Sequence, residues 1–186
     1  MKKVYDAVYE NIVEYDGIFD WKIHEVNKIF DRFDKSINII DVGCGKGHYL
    51  RNLIGNGFKN ILGIEFSSVC SENYLTDVPH INEDFLIHST LIKDKEYKIC
   101  LCMDVLEHID SKNLDQFLIA ISRISNHAIL GIANHSDIFL GEELHLIQEN
   151  SKWWEEKLQS NFLLVEKKFE LENGRFFLFE CHTQNE

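Results

Sequence analysis

Three glycines at alternate positions, Gly43, Gly45 and Gly47, follow Asp41 in the segment Asp41-Val-Gly-Cys-Gly-Lys-Gly47. Glycine lets the main chain turn sharply and lets a ligand come close to it. Backbone N–H groups in such a turn, just ahead of a helix, can receive polar or anionic ligand groups. Asp41, Cys44 and the three glycines are therefore a candidate cradle for a nucleotide-like cofactor. The spacing is G-x-G-x-G with His48 in sixth place, which is not the G-x-G-x-x-G of a dinucleotide fingerprint. Carboxylates recur at useful intervals downstream. Glu65, beside Phe66, lies 18 positions past Gly47 and can accept ribose hydroxyls. Asp84 stands next to Phe85, a carboxylate and an aromatic face that suit an adenine amino group and ring. Asp104 follows Met103 in the segment Met103-Asp-Val-Leu-Glu-His-Ile109.

Three histidines, His108, His135 and His145, add proton chemistry. Histidine titrates near neutrality and can take a proton from an acceptor hydroxyl. His135 and His145 share the stretch Ala133 to Leu146, and His145 has apolar neighbours, Leu144 and Leu146, that could fix its position. Each candidate also has a structural alternative. A glycine turn can bind nothing, Glu65 can be a solvated strand end and Asp84 a helix cap. His108 can pack a helical turn, and a polar surface loop accounts for His135 and His145. Trp153-Trp154 reads as packing before it reads as substrate contact.

These groups need elements that hold them. Val4, Val8, Ile12 and Tyr15, then Trp21, Ile23, Val26, Ile29, Phe30 and Phe33, have helical spacing, with a break near Asp16-Gly17. From Ile37 the chain alternates strand and helix. The apolar run Ile37–Ile40 is a strand, and the segment from Tyr49 is a helix. Ile61–Glu65 is a strand, with Ser67 or Ser68 capping a helix over 69–74. A short strand surrounds His80 to Asn82. Ile99–Met103 is a buried strand, a helix over 114–124 follows a Ser111 cap, and Ala128–Ile132 is a fifth strand. A helix over 150–160 with Ser151 as cap precedes a hairpin, Phe162–Phe169 and Arg175–Cys181, turning at Glu172-Asn-Gly174. Such alternation implies an α/β fold, a doubly wound, mainly parallel sheet with an antiparallel closing strand. In an open sheet of this kind ligands sit beyond the carboxyl ends of the strands.

The glycine segment resembles the first motif of the class I S-adenosylmethionine (SAM) methyltransferases, and D-V-L-E-H-I at 104–109 resembles their fourth. The resemblance covers about residues 37–135 by motif and reaches the C-terminus by order of elements. It implies the Rossmann-like fold of that superfamily, seven strands with the last antiparallel, and SAM as cofactor. It also implies one domain over 1–186: a helical lid at 1–35, a cofactor-binding core at 37–135, and a substrate loop, helix and hairpin at 136–186. Cofactor contacts are expected from Asp41, Gly43, Cys44, Gly45, Gly47, Glu65, Phe66, Asp84, Phe85, Met103 and Asp104. The loop after the fifth strand faces the cofactor's methyl end in this family, which makes His145 the first candidate base, ahead of His135 and His108. O-methylation of a small metabolite or a sugar-containing intermediate is the expected reaction. N-methylation of a small amine and a non-catalytic SAM-binding regulatory module are the alternatives. The Asn/Asp-Pro-Pro-aromatic run of DNA amino-methyltransferases is missing after strand four. Metal-dependent catechol enzymes use an Asp there and an Asp-Asn pair after strand five. Here Asp104 is followed only by Ala133-Asn134, so no metal is expected.

Charge narrows the acceptor. The net charge is −12 and no sustained basic run exists, which argues against gripping long nucleic acid. A small-molecule acceptor suits it better. There is no run of about 18 apolar residues to span a membrane. Five cysteines in apolar segments and a polar N-terminus lead us to expect reduced thiols and a cytoplasmic protein. Nothing in the sequence speaks to oligomeric state.

Overall fold

A computed structural model describes residues 2–12, 15 and 19–183, so the helix break expected near Asp16-Gly17 lies outside the described residues. The chain falls into two units, Met1–His88 and Ser89–Glu186.

The first unit runs α1 (Lys2–Asn11), α2 (Asp20–Phe30), β1 (Asn38–Val42), α3 (His48–Gly55), β2 (Asn60–Glu65), α4 (Ser68–Tyr74), β3 (His80–Asn82) and α5 (Phe85–Ser89). Its strands are parallel in the order β3-β2-β1, with Asn38 beside Asn60 and Gly63 beside His80. Ile39, Ile40 and Val42 are consecutive buried positions or nearly so, as expected of a parallel strand covered on both faces. Ser67 caps α4, its Oγ accepting from the Cys70 N–H at 3.1 Å. The N-terminal segment expected as a lid has α1 docked on α4. Tyr5 and Tyr9 bury against Cys70, with Tyr15, Phe66, Val69 and Tyr74 around them. Asp6 Oδ1 accepts from Ser67 Oγ at 2.7 Å and from the Val69 N–H at 3.3 Å. One carboxylate thus ties α1 to the turn that follows β2.

The second unit runs β4 (Tyr97–Met103), a 3₁₀ turn at Leu106–His108, α6 (Ser111–Ile124), β5 (Ser125–Ala133), β6 (Ile138–Phe139), β7 (Glu142–Glu143), α7 (Ser151–Gln159), β8 (Leu164–Glu170) and β9 (Phe176–His182). The order is β4-β5-β9-β8, with β4 parallel to β5 and β9 antiparallel to both of its neighbours. Three strands thus lie in the first unit and four in the second, with the closing hairpin antiparallel. The expected fold class holds.

Two caps differ from expectation. Asp110, not Ser111, caps α6 by accepting from the Lys112 N–H at 3.1 Å. Asn150, not Ser151, caps α7 by accepting from the Trp153 N–H at 3.0 Å. In both cases the serine is already the first helical residue, and the Asx before it has the extended backbone and the side-chain oxygen a cap needs. The β6–β7 hairpin was not legible either. Each strand has two residues, too few for a period, and its turn is Leu140-Gly141 at φ 50° and 85° rather than an Asn-Gly pair. All five cysteines are buried free thiols. No helix among the described residues is long and apolar enough to cross a membrane.

Trp154 of α7 is fully buried, while Trp153 is half-buried with its ring edge-on at 5.1 Å. Trp154→Ala should therefore cost roughly 3–5 kcal/mol of unfolding free energy in a urea titration, and Trp153→Ala clearly less.

Candidate functional site

Each unit carries one group of functional side chains. In the first, β1 ends in a loop whose glycines all have positive φ: 71° at Gly43, 50° at Gly45 and 76° at Gly47. A side chain would be strained in that region. The Gly43 and Cys44 N–H groups both donate to the Ile64 carbonyl, at 2.8 and 3.0 Å. The Gly45 N–H donates to Glu65 Oε2 at 3.0 Å, and the Ser67 N–H to Glu65 Oε1 at 2.8 Å. Glu65 is only 3% exposed, so its charge is held by main-chain dipoles. A carboxylate has about four acceptor positions, and these two bonds fix how its oxygens are aimed. Close packing behind the loop leaves no room for side chains at two glycine positions. A Cβ on Gly63 would meet Cys44 Sγ at 2.6 Å, and one on Gly47 would meet Leu75 Cδ2 at 2.8 Å. No side chain caps α3 behind Gly47.

The other expected contacts of this unit are placed less uniformly. Asp41 is buried beside Gly63, and Phe66 is half-buried with its ring 5.4 Å from that of Tyr5. Asp84 is exposed and caps α5, accepting from the Leu86 and Ile87 N–H groups at 2.9 and 3.3 Å. Phe85 is buried at the start of α5. Asn82, which sequence reasoning passed over, donates from Nδ2 to the Glu65 and Ser67 carbonyls at 2.8 and 3.1 Å. Its signal was its place at the end of a strand, two positions before Asp84.

In the second unit Met103 lies on Gly131, where even a Cβ would collide with it. Asp104 has φ 55°, and its N–H donates to the Gly131 carbonyl at 2.9 Å. That left-handed residue turns the chain out of β4 into the 3₁₀ turn and delivers Glu107 and His108. Glu107 is fully buried, with Oε1 accepting from the Ala133 N–H at 2.8 Å and its carbonyl accepting from the Ile147 N–H at 3.0 Å. His108 Nδ1 lies 2.9 Å from the Leu144 carbonyl, and His145 Nδ1 lies 2.5 Å from the His135 carbonyl. A carbonyl can only accept, so each Nδ1 carries the proton and each neutral ring keeps its lone pair on Nε2. The His145 ring is 4.6 Å from that of His108 and 4.8 Å from that of His135. The three candidate histidines are brought together, with His145 in the middle.

The electrostatics keep the His108 and His145 rings neutral. Burial, then the neighbouring His145, push the His108 pKa from 6.5 down to about 4. Burial lowers His145 in the same direction. Glu143 braces the loop: its Oε1 accepts from the Asp137 and His145 N–H groups at 2.7 and 3.0 Å, and Oε2 accepts from Ser136 Oγ. The Ser136 hydroxyl first, then the Asp137 N–H, hold Glu143 down to about 2. Glu107 is the site residue that sequence reasoning missed. Its signal was its position directly before His108. One ligand atom from each of Glu107, His108 and His145 lies within 4.8 Å of the others, a set able to hold a metal ion.

A family profile described as a methyltransferase domain matches residues 18–164. The ubiquinone biosynthesis O-methyltransferase of Rickettsia bellii is 31% identical over 90 residues, 45% of this chain and 35% of that protein. The tRNA U34 carboxymethyltransferase of Pseudomonas paraeruginosa is 28% identical over 95 residues, 48% of this chain and 29% of that protein. These matches span about a third of the relatives' own length. Among solved structures, a SAM-dependent methyltransferase from Archaeoglobus fulgidus superposes with a TM-score of 0.73 at 13% identity, covering 94% of this chain and 99% of that one. At that identity the likeness shows the fold.

The depressed His108 pKa has a stability consequence. The unfolded chain binds the proton near pH 6.5 and the folded chain only near about 4. Stability from this group is complete above pH 6.5 and is lost as pH falls through about 4, by roughly 3 kcal/mol in all. Denaturant titrations at pH 7 and pH 4 should show a smaller loss in His108→Gln than in the wild type.

Proposed function

The chain belongs to the methyltransferase-domain family, and from that premise we propose that it moves the methyl group of SAM to a hydroxyl of a small metabolite or sugar-containing intermediate. When bound, SAM supplies an electrophilic methyl carbon on a sulfonium, open to in-line displacement. The glycine loop and Glu65 fit its nucleoside and amino-acid parts. The loop offers close main-chain approach at Gly43, Gly45 and Gly47, and Glu65 offers a carboxylate for ribose hydroxyls. Fixed hydrogen bonds at Glu65 mean that the loop does not have to reorganise around the ligand.

The observation that carries the choice of a hydroxyl is the His145 tautomer. Its Nδ1 proton is committed to the His135 carbonyl, so the basic lone pair stands on Nε2. A neutral alcohol is a poor nucleophile, and a positioned base that takes its proton contributes about 10²–10⁴-fold. Asp137 Oδ2, 3.9 Å from His145 Nε2, is placed to balance the imidazolium once the proton has moved. An amine acceptor could lose its proton to water beforehand and would leave this arrangement without a purpose. The net charge of −12 favours a small acceptor over the tRNA acted on by one relative. An intact glycine loop disfavours a purely regulatory module.

A second reading has its own support in the Glu107–His108–His145 set. A divalent ion held there would bind the acceptor oxygen and lower its pKa, with the histidines as ligands instead of base.

Calorimetry should detect binding of SAM or S-adenosylhomocysteine and none of NAD. Glu65→Ala should weaken that binding by roughly 1.5–3 kcal/mol, the scale of hydrogen bonds to a charged group. Binding of NAD alone would exclude the cofactor assignment.

Once an acceptor is found by screening hydroxyl and amine metabolites, His145→Ala should lower kcat about 10²–10⁴-fold with SAM affinity nearly unchanged. Turnover of the wild type should survive EDTA. Loss in EDTA with recovery on adding Mg²⁺ or Mn²⁺ would select the metal reading. Full turnover by His145→Ala would remove His145 from both.

A further inference from the structure

At the end of β5 away from Ala133, β5 and β9 bring another set of ligand groups together. His127 on β5 stands directly opposite His182 on β9, and Glu180 is two positions earlier on β9. Opposed residues share a face of an antiparallel pair, and so do residues two apart, so all three side chains lie on one face. One ligand atom from each lies within 4.8 Å of the others. The two imidazole rings are 4.6 Å apart at 61°, and His182 Nε2 is 3.8 Å from Glu180 Oε1. We propose that His127, Glu180 and His182 form a site for a divalent transition metal of the zinc type, which clamps the C-terminal hairpin to β5.

The chemistry suits that class of ion. Two imidazole nitrogens and one carboxylate oxygen form a three-ligand zinc set, with water in the fourth position. Tetrahedral bonds of about 2.0–2.1 Å put ligand atoms about 3.3 Å apart. The His182–Glu180 pair must close by only about half an ångström to reach that, and no pair by more than about 1.5 Å. His127 and Glu180 are buried, which excludes competing water, while His182 reaches toward solvent and marks an entry path. Alternation turns Cys181, between the ligands, to the opposite face.

Charge supports the assignment. Lys168 Nζ lies 3.1 Å from Glu180 Oε2 and 2.5 Å from Glu166 Oε2. Glu166 sits opposite Glu180 on β8 and neutralises that lysine. Two carboxylates around one lysine leave a net negative charge that favours a cation, and Lys168 at Oε2 orients the Glu180 carboxylate as outer partners of metal ligands do. The competing account is a Glu180–Lys168 ion pair with two histidines as filler. It gives no reason for both imidazoles to converge on the same carboxylate. This site is separate from Glu107. His127 is near the start of β5 and Ala133, whose N–H Glu107 binds, is at its end, roughly 20 Å along the strand.

The test strips the full chain of metal with a chelator, then titrates it with zinc against a competing chelating dye, following thermal unfolding in parallel. His182→Gln and His145→Gln are compared with the wild type. The wild type should take up zinc and unfold at a higher temperature in its presence. His182→Gln should lose at least about 100-fold in affinity for one equivalent, together with the thermal shift, and His145→Gln should keep both. Cobalt should give visible d–d absorption in the wild type that His182→Gln lacks. If His182→Gln fails to fold, imidazole NMR of the wild type decides, since zinc must then perturb two histidine rings in His145→Gln as well. A wild type that takes up no zinc, or a folded His182→Gln that binds as many equivalents as the wild type with the same affinity, overturns the proposal.

Discussion

Glu65 engages both of its oxygens at once: Oε2 accepts from the Gly45 N–H and Oε1 from the Ser67 N–H. A buried charge is costly unless it is hydrogen-bonded, and each such bond contributes about 1.5–3 kcal/mol. The arrangement therefore fixes more than a side chain. It locks the glycine loop to the end of β2 and sets the turn into α4. Ser67 in turn receives Asp6 of α1 and caps α4. Loop, strand end and N-terminal helix are coupled through one carboxylate, so disturbing Glu65 disturbs the cradle itself as well as any ligand it holds.

The second unit uses the same device with different consequences. Glu107 is buried, takes the Ala133 N–H and lies beside His108. The loop between β5 and α7 has little regular structure of its own, only the two-residue strands β6 and β7. Its shape comes from side chains bonding to main chain: His108 to Leu144, His145 to His135, and Glu143 to Asp137 and His145. Each imidazole spends one nitrogen on a carbonyl. That is a stability cost turned into a chemical property, because it dictates which nitrogen keeps its lone pair.

Burial and hydrogen bonding set charge in opposite ways here. His108 and His145 are kept neutral because a desolvated imidazolium is unfavourable. Glu143 is kept ionised because hydroxyl and N–H donors surround it. A neutral base beside an ionised brace can exchange a proton with a substrate while the loop around it keeps its form. Asp84 shows the opposite allocation. It sits where a cofactor contact was expected, and its carboxylate caps α5.

The glycine spacing at 43–47, the acid at 65, the alternation of strand with helix and the antiparallel closing hairpin are all local patterns. Main-chain sterics and hydrophobic periodicity write such patterns directly into neighbouring residues, so the amino-acid sequence alone determined the fold class and the glycine loop. Histidines 108, 135 and 145 were legible as candidates by residue type. What only the tertiary structure decided is which of them meet, which nitrogen each one offers, and that Glu107 stands among them. The caps at Asp110 and Asn150 turned on which of two adjacent polar residues had the extended backbone, and the opposition of His127 and His182 on the register of β5 against β9. Register and side-chain hydrogen bonding depend on partners distant along the chain. Sequence spacing holds no information about those distances until the sheet has brought the partners together.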